Sequence, residues 1–464
     1  MNPDPHLDQR EATTADRKED PADKASWWST LSPFSYLPAL PKYTGPFPVG
    51  IHDLEWKKSG LAAELSVFKP ELFDAAYVTA RIYYPAAPTG REVQPHWLPN
   101  PISVYAQDAR VRPPLAASLS APSAATDKAS KVDTAADQTA SRFPVVYFAH
   151  GMASCRSTYA LVCGELASRG FVVVVPEFSD KSGSLCYSPH MRVDFLRVPE
   201  NDSNQAYRYQ QLLWRAIELE ETIRMVERVA AGAGQDPGMP AGLVEYSDPH
   251  HILPEEELER DGGFRLSHLR GRLDTDQTVL AGHSFGAATI LQNLASFTHP
   301  NIKAAVALDP WIYPIGKSHR IPKLPLLIIN SEFFSRWDEH HNELLLPYIQ
   351  SKKAGEAEDT VPSPPFECDG NSLFITIIGS CHEDQSDAPS LLYNMNGILK
   401  RFNNPEIAPR INPHRCIKLN MSALMTHIGP YLSAAVRQNL VEDPSVLSDA
   451  DEVRPPEVRI NQRF

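Results

Sequence analysis

The pentapeptide Gly282-His283-Ser284-Phe285-Gly286 lies between two apolar runs, Thr278-Val279-Leu280-Ala281 before it and Ala287-Ala288-Thr289-Ile290-Leu291 after it. An apolar run, a G-x-S-x-G turn and a second apolar run read as a strand turning sharply into a helix. The turn demands glycine at both ends, because a Cβ at Gly282 or Gly286 would strike the adjoining strand or helix. Its central residue sits on strained backbone at the tip of a strand, which makes Ser284 a candidate nucleophile.

A serine hydroxyl attacks poorly unless a histidine takes its proton and an acid orients that histidine, so both partners must lie further along the chain. The next strand-like run, Ala304-Ala305-Val306-Ala307-Leu308, ends in Asp309, and the one after it, Leu324 to Asn330, leads to Glu332. Asp309 is the first candidate acid and Glu332 its rival. A later run, Leu373 to Ile378, passes into Gly379-Ser380-Cys381-His382, which places the His382 imidazole just beyond the sheet. The order Ser, acid, His is that of α/β-hydrolases. Of the 16 histidines, His283 lies inside the turn, where packing is its expected job, and His319, His340, His341 and His427 are not at a recognisable strand end. The pair His250-His251 lacks the spacing of a metal site, so neither a metal nor a cofactor is expected. Acyl transfer also needs backbone donors for the developing oxyanion. One is the amide after the nucleophile, Phe285. The strand-like run Pro144 to Ala149 followed by His150-Gly151-Met152 supplies the second, the Met152 amide.

Strand patterns at Val145 to Ala149, Phe171 to Pro176, Thr278 to Gly282, Ala304 to Leu308, Leu324 to Asn330 and Leu373 to Ile378 alternate with helical segments. This is the signature of βα units: an α/β fold with a mostly parallel central sheet and helices on both faces. One helix is expected from Ser157 to Arg169, ending at Gly170, and another from Ala206 to Ala231, with an apolar stripe of Leu212, Ala216, Leu219, Ile223, Val226 and Ala230. The chain's 464 residues accommodate one catalytic domain over residues 43–442. Residues 1–42 read as a largely disordered tail with an aromatic segment at 27–40, residues 107–141 as a disordered low-complexity insertion, and 443–464 as a C-terminal tail.

A formal net charge of −13 without clustered Lys and Arg argues against a nucleic-acid partner. Trp27, Trp28 and Phe34 have the character of bilayer-interface residues, and peripheral contact with a membrane surface competes with packing against the domain. No run approaches the roughly 20 apolar residues of a spanning helix. The acidic, polar start lacks the features of a signal peptide, so a cytoplasmic location is the expectation. The six cysteines, Cys155, Cys163, Cys186, Cys368, Cys381 and Cys416, are expected to be reduced, with Cys381 a candidate oxidation-sensitive thiol beside His382.

Beyond the single turn, a series of segments resembles the platelet-activating factor acetylhydrolase family, the calcium-independent group VII type of phospholipase A2. They include Tyr43-Thr44-Gly45-Pro46, Arg81-Ile82-Tyr83-Tyr84-Pro85, Trp97-Leu98-Pro99-Asn100, Phe148-Ala149-His150-Gly151-Met152 and Leu166-Ala167-Ser168-Arg169-Gly170-Phe171. Gly282 to Thr289, Ala307-Leu308-Asp309-Pro310-Trp311, Ile329-Asn330-Ser331-Glu332 and Gly379 to His382 complete the set, in order over most of residues 43–440. The resemblance implies an α/β-hydrolase with Ser284 as nucleophile, Asp309 rather than Glu332 as acid, His382 as base, and Met152 and Phe285 as oxyanion donors. It also implies a phospholipid substrate with an acetyl, short or oxidised sn-2 chain. Ala287 stands where the family has a glycine and Met152 where it has a leucine; the oxyanion donors are backbone groups, so neither change removes one.

Overall fold

Apolar strands alternating with helices must bury both faces, and this chain does so around one twisted sheet. The structure is a computed structural model that describes residues 40–58, 76–86, 142–197, 204–231, 243–246, 266–315, 324–349, 371–393, 411–432, 437 and 443–463. The aromatic segment with Trp27, Trp28 and Phe34, the insertion 107–141, His250-His251, His319 and Cys368 lie outside the described residues. The strands are β1 (Val49–Lys57), β2 (Tyr77–Pro85), β3 (Phe143–Ala149), β4 (Val172–Glu177), β5 (Leu185–Ser188) and β6 (Met191–Asp194). There follow β7 (Val244–Tyr246), β8 (Leu273–His283), β9 (Ile302–Leu308), β10 (Leu326–Ser331), β11 (Leu373–Ile377) and β12 (Val458–Arg463). Ten of them form a single sheet in the order β12-β11-β10-β9-β8-β3-β4-β2-β1-β7, and β5 and β6 pair as a separate hairpin.

The run from β4 through β3, β8, β9 and β10 to β11 is parallel. These are the six strands legible as apolar runs. Their residues alternate between two cores. Val145, Tyr147 and Ala149 of β3 join the cluster under α2 (Asn204–Ala230) and α3 (Phe285–Ser296), whereas Val146 and Phe148 join the one under α1 (Ala160–Ala167) and α4 (Pro413–Ile428). The expected α/β-hydrolase architecture, with helices on both faces, is what the chain forms.

Two sequence expectations need correction. The first helix begins at Ala160 rather than Ser157, because Thr158 turns its hydroxyl back onto Cys155 O at 2.8 Å and Asp387 caps the Ala160 and Leu161 amides at 2.7 and 2.8 Å. The segment from 443 onward was expected to be a tail, yet β12 runs antiparallel to β11, with Val458 buried and Ile460 packed against the core. Composition misled here because order comes from backbone pairing: β11 would otherwise present an open edge.

Candidate active site

The β8–α3 turn imposes the geometry of the site. Ser284 adopts φ 57° and ψ −120°, a left-handed conformation that is costly for a residue with a Cβ. Ser284 N–H donates to Leu308 O at 2.9 Å and Ser284 O accepts from Trp311 N–H at 3.1 Å, so the turn is clamped to the end of β9. The glycine requirement is met as expected. A Cβ on Gly282 would come within 2.5 Å of Gly286 O, and one on Gly286 would collide with Ala149 O at the end of β3. The described non-glycine residues with positive φ are Ala153, Lys181, Ser284 and Asp309, and all belong to loops at this end of the sheet.

Asp309 follows β9 at φ 42° and is fully buried. Its carboxylate accepts the Ser331 N–H at 2.5 Å and the Ser331 hydroxyl at 2.7 Å, and its Oδ2 lies 3.1 Å from His382 Nδ1. Glu332 is engaged elsewhere: it accepts from Gly379 N–H at 2.6 Å and from Arg336, tethering the loop that leads to His382. The carboxylate facing the imidazole is therefore that of Asp309. Burial pulls the His382 pKa down, but the hydrogen bond and charge of Asp309 more than offset this, leaving it raised above the ordinary 6.5. The ring stacks on Phe334 with centroids 4.8 Å apart and leans on His283 at 4.4 Å. Among the described residues the Ser284 hydroxyl makes no hydrogen bond, to His382 or to any other group. Such catalytic contacts commonly close only when substrate is bound.

His283 is buried, its Nδ1 2.8 Å from Tyr159 Oη, and burial followed by the nearby His382 charge holds its pKa well below the ordinary value. With that ring neutral, Tyr159 accepts the Gly151 N–H at 3.1 Å and bridges the β3 loop to the turn. Neither the Met152 nor the Phe285 N–H has a partner among the described residues, so both remain available. A Cβ built on Gly151 would sit 3.4 Å from Ser284 Cβ, which puts the two loops in contact. The described group with metal-ligand character is this same trio: the ligand atoms of His283, Asp309 and His382 lie within 4.8 Å of one another, with those of Asp309 and His382 already engaged to each other.

Burial and Asp384 push the Cys381 thiol up to about 12, which disfavours the thiolate. Residues that the sequence reading missed lie behind the β3 loop. Gln211, Arg215, Glu218 and Thr222 of α2 are all fully buried. Their spacing of four, three and four is the signal that was available: a polar stripe with the same helical period as the apolar one beside it.

The sheet order, the sharp β8–α3 turn and the Asp309–His382 pair at the strand tips define an α/β-hydrolase. A solved ferulic acid esterase from Streptomyces cinnamoneus shares the fold, with a TM-score of 0.54 at 15% identity over 92% of this chain and 100% of that one. The profile of the family described as platelet-activating factor acetylhydrolase, isoform II, matches residues 34–439, and the chain belongs to that family. Among individual proteins it is similar to platelet-activating factor acetylhydrolase of Cavia porcellus, 31% identical over 42% of this chain and 42% of that protein. The same-named protein of Gallus gallus is 26% identical over 64% of each chain. A putative phospholipase A2 of Schizosaccharomyces pombe is 27% identical over 78% of this chain and 86% of its own length. The first two matches thus span less than two thirds of those relatives.

Proposed function

We propose that this protein is a serine esterase that hydrolyses the sn-2 acetyl or short acyl ester of glycerophospholipids. His382 takes the proton of Ser284, whose Oγ attacks the ester carbonyl, while the Met152 and Phe285 amides receive the oxyanion. The imidazolium then protonates the departing lysophospholipid oxygen. Water, deprotonated by the same ring, releases the acyl group from Ser284. The observation that carries this reading is the Asp309–His382 contact at 3.1 Å beside a strained serine turn with two unengaged amides. Family membership and the relatives' names support the substrate class. So do the exposed apolar side chains near the site. Leu196, neighbour of Phe195, is tied by its N–H to Lys181 O at 2.8 Å, and Trp337 packs on Phe334.

Replacing Ser284 by Ala is expected to lower hydrolysis of a 2-acetyl glycerophospholipid by roughly 10⁴-fold or more and to abolish fluorophosphonate labelling. Retained turnover would remove the mechanism. Preference for p-nitrophenyl or triglyceride esters over the phospholipid would leave the mechanism standing and replace the substrate with another carboxylic ester.

A further inference from the structure

Against the β3 loop the side chain of Arg215 is completely buried. A cation there is costly unless every donor finds a partner. Arg215 Nη1 donates to His150 O at 2.7 Å and Nη2 approaches Gly151 O at 3.5 Å, while Nε donates to Asp180 Oδ2 and Ser182 Oγ, both at 3.0 Å. Its plane lies between two rings, 4.4 Å from the centroid of Phe178 and 4.7 Å from that of Phe285. Neutralising Asp180 would require only one charge. Two consecutive carbonyls match a planar fork, which a lysine lacks.

Peptide planarity gives this contact its consequence. In a trans peptide the C=O and the following N–H point in opposite directions. The Gly151 carbonyl is drawn toward Arg215 and also accepts from His150 Nδ1 at 2.9 Å, so the Met152 N–H is turned the other way. The preceding peptide is fixed likewise, with His150 O on Arg215 and Gly151 N–H on Tyr159. The next amide, Ala153 N–H, donates to Ser182 O at 2.8 Å, within the same turn that supplies Asp180. The same guanidinium covers the ring of Phe285, whose own amide is the other donor.

We propose that Arg215 is a positioning residue for the oxyanion hole, aiming the Met152 amide and bracing the Phe285 amide without touching substrate. This deepens the function proposed above and rests on its assignment of those two donors. Full-length Arg215→Lys and the charge-balanced double variant Arg215→Met with Asp180→Asn test it through steady-state kinetics on a 2-acetyl glycerophospholipid. The expected result is a kcat lower by about 10- to 1000-fold with KM within about threefold, as for loss of one oxyanion donor. Affinity for a trifluoromethyl ketone analogue, which forms an oxyanion on Ser284, should fall in parallel, while that for a non-hydrolysable ether analogue stays constant. A folded variant with kcat within about twofold of the parent, or with both analogues weakened equally, overturns the proposal. If neither variant folds, Ser182→Ala, which removes one anchor of the guanidinium and strands no charge, is read by the same pair of analogues. Selective loss of ketone affinity supports the role and unchanged affinity refutes it. Ser284→Ala separates the two readings: if that variant remains active, the nucleophile assignment fails regardless of Arg215.

Discussion

The two sides of the serine turn are built on opposite electrostatic principles. Behind the β3 loop a set of buried charges is linked in ion pairs. Asp53 pairs with Arg81 at 2.8 Å and Arg156 at 3.3 Å, Arg156 reaches Glu177 at 3.1 Å, and Glu177 lies 3.0 Å from His150. Burial alone would raise the Asp53 pKa, but Arg81 and Arg156 hold it at about 2. On the His382 side the carboxylate of Asp384 has, among the described residues, only Cys381 N–H at 2.8 Å and Cys381 Sγ at 3.3 Å, with no hydrogen-bond partner there for its Oδ1, and burial raises its pKa to about 6. The first side is a scaffold that fixes the loop carrying the proposed oxyanion donor Met152. On the second, the pKa values of His382 and Asp384 are both raised, by Asp309 and by burial respectively.

The contrast can be broken at its most sensitive point by Asp309→Asn. That change preserves shape but removes the charge that favours the His382 imidazolium, and kcat should fall by about 10³- to 10⁴-fold in steady-state assays. On the scaffold side, Arg156→Met leaves Asp53 and Glu177 each short of a partner. A loss of about 3–5 kcal/mol in denaturant unfolding is expected. Acidification should reach the scaffold late: Asp53 supports folding above its unfolded value of 3.8 and loses that contribution as pH falls toward about 2.

The pH–rate profile sharpens the comparison. In the proposed mechanism His382 must be neutral to accept a proton, and its pKa is raised, so kcat/KM should fall about tenfold per pH unit on the acid side of a value above 6.5. The smallest effect is expected from Asp384→Asn. Because its pKa is higher in the fold than the 3.8 of the free group, Asp384 supports the fold below pH 3.8 and withdraws that support as pH rises through about 6. The variant should therefore be more stable at pH 7, on the order of 1 kcal/mol by thermal unfolding, with the difference vanishing near pH 4.

What the sequence disclosed follows the same division. Ser284 and Asp309 each follow directly on an apolar strand and His382 lies on the loop after one, and strand ends can be located from runs of Val, Ile, Leu and Ala. The scaffold was hidden because its elements are not apolar runs. β1 and β2 bury Asp53, Glu55 and Arg81 among their hydrophobic residues, which breaks the pattern, and Arg215 reads as an ordinary solvated helix residue until its partners 65 and 35 residues away are known. β12 was illegible for another reason: pairing with β11 uses backbone groups, to which composition is blind.

The positive φ angles of Ala153, Lys181, Ser284 and Asp309 carry a practical lesson for anyone hardening this protein against heat. Among the described residues, backbone that prefers glycine has been given to other residues only around the candidate site, so stiffness and the proposed chemistry draw on the same few dihedrals. Glycine at 153 or 181 would relax the chain beside the candidate site and leave Ser284, Asp309 and His382 in place. Glycine at 284 would relax it too, and remove the hydroxyl on which the proposed attack on an ester depends.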